Sequence, residues 1–252
     1  MDGTWILLAG AALFAGFVDA VAGGGGMVQV PALLSAFPGE APATLFGTNK
    51  GASIFGTANA ALRYARRIVV PWRLAGPAAA AAFVCAWLGA AAVAWLPREV
   101  LRPLVLVLLV AVAAYTAFKR DMGLGSPAPA PAGSASGAAA AGAVLGFYDG
   151  FFGPGTGSFL IFVFVRFFAL DFLRASAVAK VVNVATNAAA LLYFAPTGHV
   201  LWGLALTMAA FNVAGATVGS RLAISRGSGF VRQVFLVVSA VLIAKFGYDT
   251  FH

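Results

Sequence analysis

Apolar stretches fill nearly all of this 252-residue chain, and they decide what it can fold into. There are eight, running roughly Trp5–Phe37, Leu45–Leu62, Trp72–Leu96, Val100–Phe118, Gly137–Phe168, Ser176–Phe194, Val200–Ala223 and Gly229–Phe246. Six have the length of one membrane crossing, about 20 residues. The first and fifth are too long. As unbroken helices each would run to about 50 Å at 1.5 Å per residue, against a hydrocarbon layer of about 30 Å. Both contain a glycine cluster, Gly23-Gly24-Gly25-Gly26 in one and Gly153-Pro154-Gly155-Thr156-Gly157 in the other. Consecutive glycines and a proline interrupt helix. Each long run is therefore expected to form two shorter helices around an unwound turn, a hairpin entering the membrane.

Composition excludes the soluble alternative. Hydrophobic residues make up 62% of the chain and charged residues 10%, more apolar surface than one soluble core could hide, so lipid must serve as solvent. The net charge of +8 sits in short clusters between apolar runs, as the positive-inside rule expects of membrane loops, and does not point to nucleic acid. The single cysteine, Cys85, lies in an apolar run and reads as a small hydrophobe. The first apolar run lacks a basic leader and is expected to stay in the protein.

The chain repeats itself at one constant offset, the step from Gly16 to Gly146. Gly16-Phe17-Val18-Asp19 aligns with Gly146-Phe147-Tyr148-Asp149, Gly23 with Gly153, Gly25 with Gly155, Lys50 with Lys180, Trp72 with Trp202, Gly89 with Gly219 and Arg102 with Arg232. Identities at Asp, Lys and Trp weigh more than those at Ala or Gly in a chain this rich in small residues. This sets a first repeat at 1–120, a Pro/Ala/Ser/Gly linker at 121–136, flexible by composition and expected on the cytoplasmic side, and a second repeat at 137–252.

Loop charge gives orientation. Arg63, Arg66, Arg67 and Arg73 crowd one loop, and its counterpart around His199 has no Lys or Arg. The loop of Arg98, Glu99 and Arg102 is nearly neutral, and its counterpart has Arg221, Arg226 and Arg232. Glu40 makes its loop negative, and the counterpart has Arg166, Asp171 and Arg174. Positive charge thus alternates between counterparts, which predicts halves inserted in opposite orientations. The expected fold is an all-α polytopic membrane protein with two inverted repeats. Each repeat would be a broken-helix hairpin followed by three transmembrane helices. Inverted repeats of this kind recur in secondary transporters, with the substrate at the repeat interface near the midplane.

Several polar groups stand out against that apolar background. Unwound backbone persists at membrane depth only where protein or a wet cavity surrounds it, and the start of a half-helix favours anions. Gly23, Gly24, Gly25, Gly26, Gly153, Gly155, Thr156 and Gly157 are thus candidate ligand-binding positions, although glycines also allow tight helix packing. Asp19 and Asp149 each precede a glycine cluster by four residues. An intramembrane carboxylate needs a partner or a role, either proton coupling or a hydrogen bond to the broken backbone. Lys50 and Lys180 could compensate a small anion or snorkel to the interface. Asn183, Asn187, Asn59, Asn212 and Thr48 add hydrogen-bonding groups that serve either as ligand contacts or to hold helices together. Two histidines, His199 and His252, with no acid or cysteine beside them make no metal site, and no nucleophile–base–acid set is visible, so neither a cofactor nor an enzyme activity is expected.

These motifs resemble the TauE/SafE family of membrane transporters, often called the sulfite exporter family. The resemblance lies in Gly16-Phe17-Val18-Asp19-Ala20-Val21-Ala22-Gly23-Gly24-Gly25-Gly26, Pro31 and Gly47-Thr48-Asn49-Lys50. In the second half it lies in Gly146-Phe147-Tyr148-Asp149-Gly150-Phe151-Phe152-Gly153-Pro154-Gly155-Thr156-Gly157 and Ala179-Lys180-Val181-Val182-Asn183. It implies secondary transport, generally export, of small sulfur-containing anions such as sulfite or organosulfonates. The glycine runs and Lys50 and Lys180 correspond to the family's repeated motif, so the resemblance places the anion there, with Asn49 beside it. The expected setting is the inner membrane of the cell, in contact with lipid and a small anionic substrate. A passive anion channel and a non-transporting subunit of a partner complex are the alternatives.

Overall fold

The structure, a computed structural model, describes residues 3–96, 99 and 134–251. The expected span at Val100–Phe118 and most of the linker lie outside the described residues. Among those described, every regular element is a helix. The first half contributes α1 (Gly3–Ala22), α2 (Gly26–Ala36), α3 (Pro42–Ala65) and α4 (Trp72–Trp95). The second contributes α5 (Ala135–Phe151), α6 (Thr156–Phe168), α7 (Phe172–Phe194) and α8 (Trp202–Phe251). Inside α8 the backbone leaves helical geometry at Gly227, with φ 74° and ψ −171°, between the two expected runs.

Both overlong runs divide at their glycines. The chain folds back after α1, so a Cβ on Gly25 would lie 2.8 Å from the Cβ of Asp19. α1, with 20 residues, is long and apolar enough to cross a membrane on its own, and so are α4, α7 and Trp202–Phe235 of α8. α2 and α6, of 11 and 13 residues, are too short for that. α3 has the length but carries Thr48, Asn49, Lys50 and Asn59 along it. Helix ends follow local chemistry. Asp171 caps α7 by accepting from the amides of Leu173 and Arg174, Ser134 caps α5 by accepting from Gly137 N, and Pro42 starts α3.

Helices of one half pack chiefly on those of the other. The broadest interfaces join α4 to α5 and α1 to α8, followed by α3 to α8 and α4 to α7. Small residues make this possible. Gly89 of α4 backs onto the main chain of α5, where an added Cβ would meet the Phe147 carbonyl oxygen. Its repeat counterpart, Gly219 of α8, backs onto the carbonyl of Phe17 in α1, and Phe17 is in turn the counterpart of Phe147. Large apolar side chains such as Ile6, Phe14, Val84, Trp87, Leu192 and Leu206 point outward, the reverse of a water-soluble surface. Polar groups, by contrast, gather in the interior: Gln29, Thr48, Asn49, Lys50, Asp149, Lys180, Asn183, Asn187 and Asn212 are all buried.

Candidate functional site

The two glycine turns touch. Gly23, in the left-handed region with φ +75°, presents its Cα so closely to the second turn that a Cβ there would lie 2.7 Å from the Cα of Gly157. Gly26 faces Pro154 in the same way, its would-be Cβ 3.4 Å from the Pro154 Cα. The left-handed backbones of Gly24, Gly153 and Gly155 complete the two reversals. Tyr148 Oη donates to the Pro154 carbonyl at 2.6 Å, Thr156 Oγ1 to the Gly153 carbonyl at 2.8 Å and Ser158 Oγ to the Ala22 carbonyl at 3.0 Å. The last bond fastens α6 to the end of α1, so both short helices start from one fixed centre.

Two ion pairs flank that centre, and each crosses between the halves. Lys50 Nζ lies 2.8 Å from Asp149 Oδ1, and Lys180 Nζ lies 3.0 Å from Asp19 Oδ2. Repeat counterparts thus make counterpart pairs. The surroundings differ, however. Lys50 and Asp149 are both nearly sealed, with side chains 3% and 6% exposed. Lys180 is wholly buried, while Asp19 is 18% exposed and also accepts from Thr57 Oγ1 at 3.3 Å. The Lys50–Asp149 pair sits against the second turn. A Cβ on Gly153 would fall 3.2 Å from Lys50 Nζ and 3.3 Å from Asp149 Oδ1, so any larger residue there would disturb the pair.

A small polar cavity, partly open to its surroundings, lies between the turns and the pairs. Twelve of the expected site residues line it: Asp19, Gly24, Gly25, Gly26, Asn49, Lys50, Asp149, Gly153, Thr156, Gly157, Asn183 and Asn187. Four do not. Gly23 and Gly155 contribute left-handed backbone to the turns, and Lys180 is tied to the lining through its ion pair with Asp19. Thr48 serves the fold: its Oγ1 donates to the Thr44 carbonyl at 2.7 Å and accepts from Leu201 N at 3.0 Å, at the entry to α8.

Ser53, Thr57 and Asn212 complete the lining. Asn212 has a polar amide in an apolar run, and its Nδ2 donates to Ala12 O at 3.3 Å and Gln29 Oε1 at 3.2 Å. Ser53 and Thr57 carry a signal of their own in the sequence. They follow Asn49 and Lys50 at helical spacing, and their repeat counterparts are Asn183 and Asn187. Asn59, by contrast, joins helices by donating to Thr217 Oγ1 at 2.7 Å. The amide ends Asn49 Oδ1, Asn183 Oδ1 and Gln29 Nε2 are buried with no hydrogen-bond partner. Such groups are costly in a packed interior: the two oxygens lack a donor and the Gln29 nitrogen lacks an acceptor.

A buried, charged and hydrogen-bonding cavity enclosed by helices long enough to span a bilayer belongs to a multi-pass membrane protein of the transporter class. Comparison with known proteins agrees. The family described as "Sulfite exporter TauE/SafE" matches residues 8–246, and the chain belongs to that family. It is 37% identical over 242 residues to "Probable membrane transporter protein ORF9" of Sinorhizobium sp, covering 96% of this chain and 92% of that one. It is 36% identical over 239 residues to "Probable membrane transporter protein YfcA" of Escherichia coli K12, covering 95% and 88%. A "Probable membrane transporter protein" of Haemophilus influenzae is 32% identical over 235 residues, covering 93% and 91%. No solved structure is significantly similar.

Proposed function

We propose that this protein is a secondary transporter of the inner membrane that exports a small sulfur-containing anion, such as sulfite or an organosulfonate, with proton coupling through Asp19 or Asp149. The observation that carries this reading is the cavity lined by both glycine turns, Lys50 and the asparagines at 49, 183 and 187. Lys50 supplies the positive charge, and Asn49, Asn183 and Asn187 supply amide donors suited to anion oxygens. The family's description supports the substrate class. Two inverted repeats, 1–120 and 137–252, joined by a cytoplasmic linker at 121–136, would let one repeat rock against the other around this fixed site. The matched interfaces of α1 with α8 and α4 with α5 favour that arrangement.

The test is uptake by proteoliposomes of radiolabelled sulfite, thiosulfate, taurine and sulfoacetate, with and without an imposed pH gradient. Saturable, gradient-driven flux of one anion, lost in folded Lys50→Ala protein, is the expected result. Flux that persists unchanged in both Lys50→Ala and Lys180→Ala would remove the cavity from the account. Flux that never saturates and ignores the gradient would mark a channel.

A further inference from the structure

The two ion pairs are counterparts in the repeat but not in the cavity. Both members of the Lys50–Asp149 pair line it, whereas Lys180 lies outside the lining and reaches it only through Asp19. A ligand in the cavity can therefore touch one ammonium directly, and that ammonium is already held by a carboxylate at 2.8 Å. We propose that a monovalent anion enters by replacing Asp149 at Lys50, and that Asp149 takes up one proton as it is displaced. Anion and proton would then cross together with no net charge moved. This inference rests on the function proposed above and assigns its coupling to one residue and one proton.

Charge balance drives the argument. Before binding, the cavity's Lys50 ammonium and Asp149 carboxylate cancel. An added monoanion would leave one negative charge in a site that Asp149 and Lys50 expose by only 6% and 3%. Burying an unbalanced charge costs far more than transferring a proton. The proton comes from water on whichever side the cavity faces, and it adds to a carboxylate oxygen with no bond broken in the anion. After binding, Lys50 and the anion cancel and Asp149 is neutral. On release the proton leaves, and Asp149 returns to Lys50.

Around Asp149, few other groups could take that proton. Lys50 faces it from α3, and Tyr148 adjoins it on α5. Asp19 of α1 lines the same cavity but is held by Lys180 of α7 at 3.0 Å and by Thr57. α4 meets α5 here through Ala82, Ala86 and Gly89. α2 has no charged residue, Arg166 lies in the last turn of α6, and the first charged residue of α8, Arg221, comes more than two helical turns beyond the cavity-lining Asn212. The Lys180–Asp19 pair is thus assigned a structural role, holding α1 to α7 through the cycle.

Equilibrium binding to purified protein in detergent tests this, by titration calorimetry with methanesulfonate, ethanesulfonate and isethionate between about pH 6 and pH 8, where each keeps a single negative charge. Uptake of one proton makes affinity rise as pH falls, by about tenfold per pH unit. Asp149→Asn, which imitates the protonated acid, should bind the same anion with affinity independent of pH and at least as tightly as the wild type does at the lowest pH. The wild-type slope needs no variant, so a poorly folding Asp149→Asn protein leaves the test intact. A flat wild-type profile, or a slope that survives in folded Asp149→Asn, would overturn the assignment. Binding of none of the three anions would overturn the function proposed above and this inference with it, an outcome distinct from binding without pH dependence.

Discussion

Replacing Lys180 by methionine removes one end of an ion pair whose ammonium is 0% exposed and whose carboxylate partner, Asp19, is 18% exposed. Methionine fills most of the same volume, so the main effect is electrostatic. Asp19 would keep the Thr57 hydrogen bond at 3.3 Å but lose its counter-charge. Breaking a buried pair from one side costs about 3–5 kcal/mol. At about 2–4 °C per kcal/mol for a chain of this size, the melting temperature should fall by about 6–20 °C. Asp19→Asn should cost a similar amount by stranding Lys180. The double variant Asp19→Asn/Lys180→Met strands neither charge and should melt within about 5 °C of the wild type, because a buried pair and a neutral pair of similar shape differ little. The assay is thermal unfolding in detergent of all four proteins, read as a double-mutant cycle. Additive losses in the double variant would show that the two side chains act independently, and the structural role given to this pair would be refuted.

Other outcomes follow from the packing and the cavity. Gly150→Ala would put a Cβ 2.6 Å from the Ala86 carbonyl carbon and should destabilise by about 1–3 kcal/mol or prevent assembly, whereas Gly10→Ala, with nothing within 4 Å, should be neutral or slightly stabilising in the same thermal assay. Thr48→Val removes the acceptor for Leu201 N and should cost about 1 kcal/mol of stability while leaving anion affinity unchanged. Asn183→Leu should do the opposite: it removes the Nδ2 donor that Asn183 brings to the cavity wall beside Gly157 and should weaken anion binding by about tenfold or more, measured by calorimetry, with little loss of stability.

The breaks in the chain were legible because backbone chemistry is local. Gly23–Gly26 and Gly153–Gly157 interrupt apolar runs longer than a bilayer, and the structure turns at both. The polar residues that meet in the cavity were largely legible too, since an amide or ion in an apolar helix must face inward. Their pairing was not. Asp19 and Lys50 lie in one half, and nothing in their spacing says that each bonds instead to its counterpart's partner in the other half. That exchange follows from small-residue faces such as Gly89 and Gly219, which seat helices of one half on those of the other. Thr48 shows the converse problem: a hydroxyl beside Asn49 and Lys50 suggests a ligand contact, but helix phase turns it toward the start of α8. The inequality of Lys50 and Lys180 was also hidden, because an alignment at constant offset treats counterparts as equals.

Ser53 lies on the cavity wall between Lys50 and Thr57, and the chain's one natural cysteine is Cys85. In a Cys85→Ala background, Ser53→Cys places a single thiol at the proposed site. Its labelling by a membrane-impermeant methanethiosulfonate, measured in vesicles of both orientations, tests the central claim most directly. The account predicts labelling from each side, slowed by the transported anion at the concentrations that saturate flux. Labelling from one side only, or at a rate the anion does not change, would contradict a transport site in this cavity.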